Sequence, residues 1–251
     1  MATHGRCFPD PAAKASQSMN NPIALVTGAS RGLGLALATA LAREGYSLII
    51  DARDGDALAK AAAEIGGPYL ADQVTAIPGD ITDPAHRAAL KAAVEAAGGL
   101  DLLVNNAGTL GASPLPALAD YPVGELRAAF EANVIAPVAL IQLLLPVLRV
   151  RGGAVLNITS DAAVEAYAGW GGYGAAKAAL EQASNVLAAE ELTVRVWWAD
   201  PGDLRTQMHQ QAFPGEDISD RPLPSEVVPG FVRLIGERLP SGRYRAQELL
   251  S

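Results

Sequence analysis

Tyr173 and Lys177 stand four residues apart, so on a helix both side chains leave the same face. An unperturbed tyrosine has a pKa of about 10, too high for proton transfer near neutral pH. A lysine ammonium beside it favours the phenolate and lowers that value, which makes the pair an acid/base unit. Taken alone, Tyr-x-x-x-Lys recurs by accident, and a tyrosine ring packed over a lysine stem explains it as well. Ser160 shifts the balance, because it follows the strand-like run Ala154 to Thr159. Asn105-Asn106-Ala107-Gly108 ends another such run, and the carboxyl ends of strands are where open α/β sheets bind ligands. These groups therefore surround one crevice.

A second chemistry-bearing stretch is Thr27-Gly28-Ala29-Ser30-Arg31-Gly32-Leu33-Gly34, which joins the first apolar run to the first helical one. Gly28 allows a tight turn, Gly32 lets a pyrophosphate approach the backbone, and Gly34 lets the helix pack against the sheet. A diphosphate then meets unpaired N–H groups and the positive end of the helix dipole. Glycine turns are common punctuation, but a strand before and a helix after specify a dinucleotide site. The second strand ends Asp51-Ala52-Arg53, where an acid would bind a ribose hydroxyl and an arginine a 2′-phosphate. Strand alternation turns Asp51 away and leaves Ala52 facing the ribose. Arg53 and Arg31 converge on that spot and favour NADP(H). Were both arginines merely solvated, Asp51 would become the ribose ligand.

These residues need a scaffold, and the chain alternates strand and helix throughout. Strand-like runs cover Ile23 to Thr27, Ser47 to Asp51, Val74 to Pro78, Asp101 to Asn105, Ala154 to Thr159 and Val194 to Trp198. Helical runs cover Leu33 to Glu44, Ala57 to Ile65, Pro84 to Ala97, Leu126 to Val150 and Tyr173 to Glu190. Continuously apolar strands between helices imply a parallel sheet covered on both faces, and right-handed crossovers make it a Rossmann-like, doubly wound α/β sheet of six to seven strands. The polar, proline-punctuated stretch Asp203 to Ser225 is too long for plain punctuation and reads as a substrate lid with one short helix. Residues 1–20 read as a flexible extension, and residues 21–251 as one dinucleotide-binding domain carrying that lid.

Taken together, Thr-Gly-x-x-x-Gly-x-Gly at 27–34, Asn-Asn-Ala-Gly at 105–108, Ser160, Tyr173-x-x-x-Lys177 and Pro201-Gly202 resemble the short-chain dehydrogenase/reductase family. The resemblance runs from about Ile23 to Thr206. It implies that Tyr173 donates a proton to a carbonyl oxygen that Ser160 holds. Lys177 would bind the nicotinamide ribose and depress the Tyr173 pKa, and Asn133 would complete a proton relay through water. Gly28, Ser30, Arg31, Gly32, Leu33 and Gly34 would hold the diphosphate, with Arg53 at the ribose. Asp80 and Ile81 would sit by the adenine, and Asn106, Ala107 and Gly108 beside the cofactor. Pro201, Gly202 and Thr206 would approach the nicotinamide amide. The implied activity is hydride transfer between NADP(H) and a small-molecule carbonyl or alcohol; the rival reading is a catalytically idle NADP(H)-binding regulator or scaffold. Such families usually end in a glycine-rich tail, which Gly242 to Leu250 lacks, so a dimer is favoured over a tetramer. A seventh strand near Tyr244 is expected.

Composition narrows the partners. Half of the 251 residues are hydrophobic, which is enough for one large core. The formal net charge of −8, with no basic run, argues against nucleic acid or an anionic membrane. No uncharged span of membrane length stands out. Cys7 is the sole cysteine, so no intrachain disulfide forms, which fits the cytoplasm. His86 and His209 lack partners at ligand spacing, so no metal site is expected. Leu126 to Val150 is apolar nearly all round, which suggests burial against both the sheet and a partner subunit. Within it, Pro137 removes the N–H that would bond the Asn133 carbonyl, and a kink is expected. Whether that kink frees the carbonyl for a relay water or only fits the helix to the sheet is open. Trp197 and Trp198 read as core; whether Tyr167 or Trp170 lines the substrate pocket is also open.

Overall fold

The computed structural model describes residues 21–67 and 70–250. The expected extension at 1–20 lies outside them. Seven strands run β1 (Ile23–Val26), β2 (Ser47–Ala52), β3 (Val74–Pro78), β4 (Leu102–Asn105), β5 (Ala154–Ile158), β6 (Arg195–Asp200) and β7 (Gly242–Arg245). All neighbours are parallel, in the order β3-β2-β1-β4-β5-β6-β7. The order reverses beside β1, so a crevice opens at the carboxyl ends of β1 and β4.

Two cores flank this sheet, and strand alternation allocates residues to them. Ala24, Val26, Leu48, Ile50, Leu102 and Val104 point to one face. There they meet Leu37 of α1 (Gly32–Arg43), Leu58 of α2 (Gly55–Gly66) and Phe231 of α8 (Pro224–Gly236). Ile23, Leu25, Ile49, Leu103 and Val155 point to the other. These pack on Leu90 of α3 (Pro84–Ala96) and on Leu140, Ile141, Leu144 and Leu148 of α5 (Ala136–Arg151). Trp197 and Trp198 are buried in β6, as expected, and Trp197 Nε1 donates to the Leu239 carbonyl at 2.9 Å.

The long apolar helix departs from expectation in three ways. First, α4 (Val123–Phe130) and α5 are joined by a π-turn, Glu131–Ile135, in which the Ala136 N–H reaches back to the Glu131 carbonyl. A proline cannot donate, so the hydrogen-bond ladder slips by one residue just before Pro137. Second, the stripe is narrower than it reads, since Gln142, Pro146 and Arg149 face outward while Val134 and Val138 are only half-buried. Third, the continuous helical span Val123–Arg151 is long and apolar enough to cross a membrane by length and composition, which the sequence reading did not credit. Here its buried side chains pack on the sheet.

A further helix, α8, lies in a stretch to which the sequence reading assigned no element, and it contains Pro229 and Gly230. Its first turn tolerates Pro224, and Glu226 Oε1 accepts from the Leu223 N–H. Gly230 is required because a Cβ there would sit 2.1 Å from the Ala246 carbonyl oxygen. The helix therefore docks the segment after β7.

Candidate active site

The phosphate turn is built as its glycines demand. Gly28 and Gly32 adopt φ of 66° and 58°, a region costly for residues with a Cβ. Gly34 has a more specific reason than packing on the sheet: a Cβ there would meet the Gly28 carbonyl oxygen at 2.3 Å and Asn106 Nδ2 at 2.4 Å. Asn106 is the clasp of this edge. Its Nδ2 donates to the Thr27 and Gly28 carbonyls at 2.9 and 3.1 Å, and its N–H donates to Thr27 Oγ1 at 3.0 Å. Ala107 N–H reaches the same hydroxyl, so the ends of β1 and β4 are tied together. No side chain caps α1 and no acid stands in its first turn, which leaves its leading N–H groups available for an anion.

Asp51 is committed elsewhere. Its Oδ1 accepts the Gly28 N–H at 2.8 Å and its Oδ2 accepts His86 Nε2 at 2.9 Å, all inside the protein. Asp51, Ala52 and Arg53 all line the crevice, with Asp51 buried beneath the turn and Arg53 exposed. Arg31 Nη1 donates to Gln207 Oε1 on the far wall. Past the end of β3, Asp80 accepts the N–H and hydroxyl of Thr82 at 2.9 and 2.8 Å. Burial alone would raise its pKa, but these two bonds and the nearby Arg53 hold it below the usual carboxylate value.

One cleft of about 1750 Å³ unites these parts with the acid/base residues. It is lined by Gly28, Ser30, Arg31, Gly32, Leu33, Arg53, Asp80, Ile81, Asn106, Ala107 and Gly108, and also by Ser160, Tyr173, Lys177, Pro201, Gly202 and Thr206. Gly34 and Asn133 support the wall from behind it. Asn133 lies in the π-turn, fully buried, and its side chain brackets one residue of the loop after β4. Oδ1 accepts the Thr109 N–H at 3.0 Å and Nδ2 donates to the Thr109 carbonyl at 2.8 Å. Gly108 must lack a Cβ, which would meet Asn133 Oδ1 at 2.6 Å.

Tyr173 and Lys177 share one face of α6 (Gly171–Glu190), as their spacing requires. Lys177 Nζ donates to the Ile158 carbonyl at 2.8 Å and lies 5.6 Å from the centre of the Tyr173 ring. Burial pulls the lysine down to about 8. The expected lowering of Tyr173 is not what this arrangement produces. Burial, then the Asp200 and Asp161 carboxylates, push Tyr173 well above its ordinary value, against a lowering contact from Ser160. The ammonium is engaged by a carbonyl, so the phenol keeps its proton. Ser160 Oγ donates to Asp161 Oδ1 at 2.9 Å and accepts the Ala162 N–H at 3.2 Å.

The lid is ordered. Its short helix, α7 (Gln207–Ala212), begins at Thr206, whose Oγ1 accepts the His209 N–H at 3.2 Å. The Arg205 N–H closes the loop on the Pro222 carbonyl at 2.8 Å. Trp170 lines the cleft, edge-on to Tyr173 at 5.7 Å, whereas Tyr167 is 47% exposed and donates to Asp161 Oδ2 at 2.9 Å. Sequence reasoning passed over Thr27, Asp161, Glu181, Asp200 and Arg243. Polar residues closing continuously apolar strands were the available signal for Thr27 and Asp200.

The short chain dehydrogenase family profile matches residues 22–217. The chain is 40% identical over 184 residues to a rhamnolipid-biosynthesis 3-oxoacyl-[acyl-carrier-protein] reductase of Pseudomonas aeruginosa, covering 69% of this chain and 68% of that one. It is 35% identical over 227 residues to 1-deoxy-11-beta-hydroxypentalenate dehydrogenase of Streptomyces exfoliatus, covering 88% and 80%. A short chain dehydrogenase of Shigella flexneri complexed with NADP superposes with a TM-score of 0.84 at 30% identity, over 90% of this chain and 97% of that one. Profile, relatives and fold agree with the glycine turn and the Tyr173/Lys177 helix, and the chain belongs to the short-chain dehydrogenase family of oxidoreductases.

Proposed function

We propose that this protein exchanges a hydride between NADP(H) and a carbonyl or alcohol, with Tyr173 as the acid and base. The observation that carries this reading is one cleft joining an uncapped phosphate turn to a buried, protonated Tyr173 beside Ser160. The site fits a dinucleotide: a positive-φ glycine cradle at Gly28 and Gly32, free leading N–H groups on α1, and two arginines, Arg31 and Arg53, lining the same cleft. Gly28, Ser30, Gly32 and Leu33 would hold the diphosphate, Arg31 and Arg53 a 2′-phosphate, and Asp80 and Ile81 the adenine. Asn106, Ala107, Gly108, Pro201, Gly202 and Thr206 would flank the nicotinamide end. NADPH, when bound, supplies the hydride.

The chain's own groups manage the proton. Burial keeps Tyr173 protonated, so in reduction its hydroxyl gives a proton to the carbonyl oxygen. Ser160 has a single hydroxyl proton, now directed at Asp161; to hold a substrate oxygen it must turn from that carboxylate. Lys177, bound to the Ile158 carbonyl and near Gly108, reaches the ribose side and carries charge up to about pH 8. Asn133 keeps the Thr109 loop in place, and a water on the π-turn would relay protons toward Lys177. The apolar side of the substrate meets Trp170, Leu110 and Met208. A cytoplasmic dimer, using the outward face of the π-turn and α5 where Ile135 and Val150 are exposed, belongs to the same reading.

Tyr173→Phe tests it. The ring and its packing remain, so NADPH binding should hold within about twofold while carbonyl-dependent NADPH oxidation falls ~10²–10⁴-fold. Turnover near the unmodified rate would remove Tyr173 as the acid.

A further inference from the structure

Behind the catalytic edge lies a charged network that the proton steps above do not use. Arg243, on edge strand β7, donates through Nε to Glu181 Oε1 at 3.0 Å and through Nη2 to the Ser160 main-chain carbonyl at 3.3 Å. The same Nη2 is 3.7 Å from Asp200 Oδ2. Thr159 Oγ1 donates to Glu181 Oε1 at 2.8 Å, and the Gly202 N–H donates to Asp200 Oδ1 at 2.8 Å. Glu181 and Asp200 are both buried. Two buried carboxylates around one guanidinium are costly to desolvate and must be held by that cation. The three strand ends β5, β6 and β7 are thereby drawn onto Ser160.

The groups facing Tyr173 can be assigned one by one. Asp161 follows β5, and its two oxygens accept from Ser160 Oγ and the Tyr167 hydroxyl. Lys177 on α6 is bonded to the Ile158 carbonyl. Asp200, at the end of β6, acts on Tyr173 through its charge, and two cations of β7 oppose it, Arg243 at 3.7 Å first and Arg245 after it. We propose that Arg243 is a positioning residue: it clamps the Ser160 main chain from behind and balances Asp200 beside Tyr173. The edge strand thus sets how readily Tyr173 gives up its proton. The inference rests on the reading of Tyr173 as acid and base.

Opposite signs make it testable. Removing Arg243 unmasks Asp200, which holds the proton on Tyr173 more tightly; removing the Asp200 charge releases it. For oxidation of secondary alcohols by NADP⁺, Tyr173 must be deprotonated, so kcat/KM rises with pH through its pKa. Arg243→Gln should move that limb up by at least about half a pH unit and Asp200→Asn should move it down by a similar amount. Arg243→Lys keeps the charge and should leave the limb in place. Limbs that do not move, or that move the same way in both variants, overturn the proposal. Should Arg243→Gln fail to fold, Asp200→Asn decides: an unmoved limb there is equally fatal. Should no alcohol turn over, the ultraviolet tyrosinate titration with NADP⁺ bound, taken as a difference from Tyr173→Phe, reads the same midpoints. A fully active Tyr173→Phe removes the underlying reading; an inactive one with unmoved limbs removes only the role of Arg243.

Discussion

Replacing Asp51 with Asn keeps the shape of the side chain and removes its charge. Asp51 accepts two bonds, from the Gly28 N–H at 2.8 Å and from His86 Nε2 at 2.9 Å. A hydrogen bond to a charged group contributes about 1.5–3 kcal/mol and a neutral one about 0.5–1.5, so weakening both costs roughly 2 kcal/mol. The amide adds a conflict, because its NH₂ can only donate and must face the Gly28 N–H or the His86 ring. For a chain of this length each kcal/mol lowers Tm by about 2–4 °C, so a fall of roughly 4–8 °C is expected. Gly28 is part of the phosphate turn, so NADPH and NADH should both bind more weakly. The ratio of the two affinities should stay within about threefold, or ~0.7 kcal/mol, because both Asp51 oxygens are already directed at internal donors. Thermal melts and fluorescence titrations with each cofactor measure both quantities. An unchanged Tm would refute the buried pairing. A selective loss of NADH binding would make Asp51 a ribose ligand and refute the reading of the arginines.

Gly34→Ala should be severe, since its methyl would lie 2.3 Å from the Gly28 carbonyl oxygen and 2.4 Å from Asn106 Nδ2. A stability loss of ~2 kcal/mol or more in urea melts is expected, together with loss of NADPH binding, and a fully stable variant would contradict the close approach. Ala52→Asp combined with Arg53→Ala supplies an acid to the ribose and removes a partner of the 2′-phosphate. The kcat/KM ratio should shift toward NADH by about tenfold or more, and an unmoved ratio would clear Arg53 of a role. Lys177 is depressed from 10.5 to about 8, so between those values the unfolded chain binds the extra proton. The penalty for burying this lysine is thus fully present below about pH 8 and is relieved as pH rises toward 10.5. Measured against Lys177→Met, the unmodified protein should gain about 2–3 kcal/mol between pH 8 and pH 10, and a flat difference would show that the ammonium is solvated.

Much of the scaffold was legible in the chain because it rests on local rules. Continuously apolar strands specify a sheet buried on both faces, and Gly28 and Gly32 specify a turn that no residue with a Cβ adopts cheaply. Tyr173 and Lys177 fall on one face because the helix period puts them there. What the sequence could not settle depends on partners distant along the chain. Asp51 and Arg53 looked like rivals for one ribose until packing placed His86 and the Gly28 N–H against Asp51. Tyr173 read as lowered by its lysine, yet burial and the far carboxylate of Asp200 govern it, and neither follows from a four-residue spacing. Helix α8 was given no reading from the sequence; only docking on the Ala246 carbonyl shows why a glycine belongs inside it. Arg243, 83 residues beyond Ser160, gained meaning only when β7 closed beside β6. Local sequence determines periodicity and turn geometry, whereas desolvation and charge pairing depend on the whole fold, and these decide which groups hold protons.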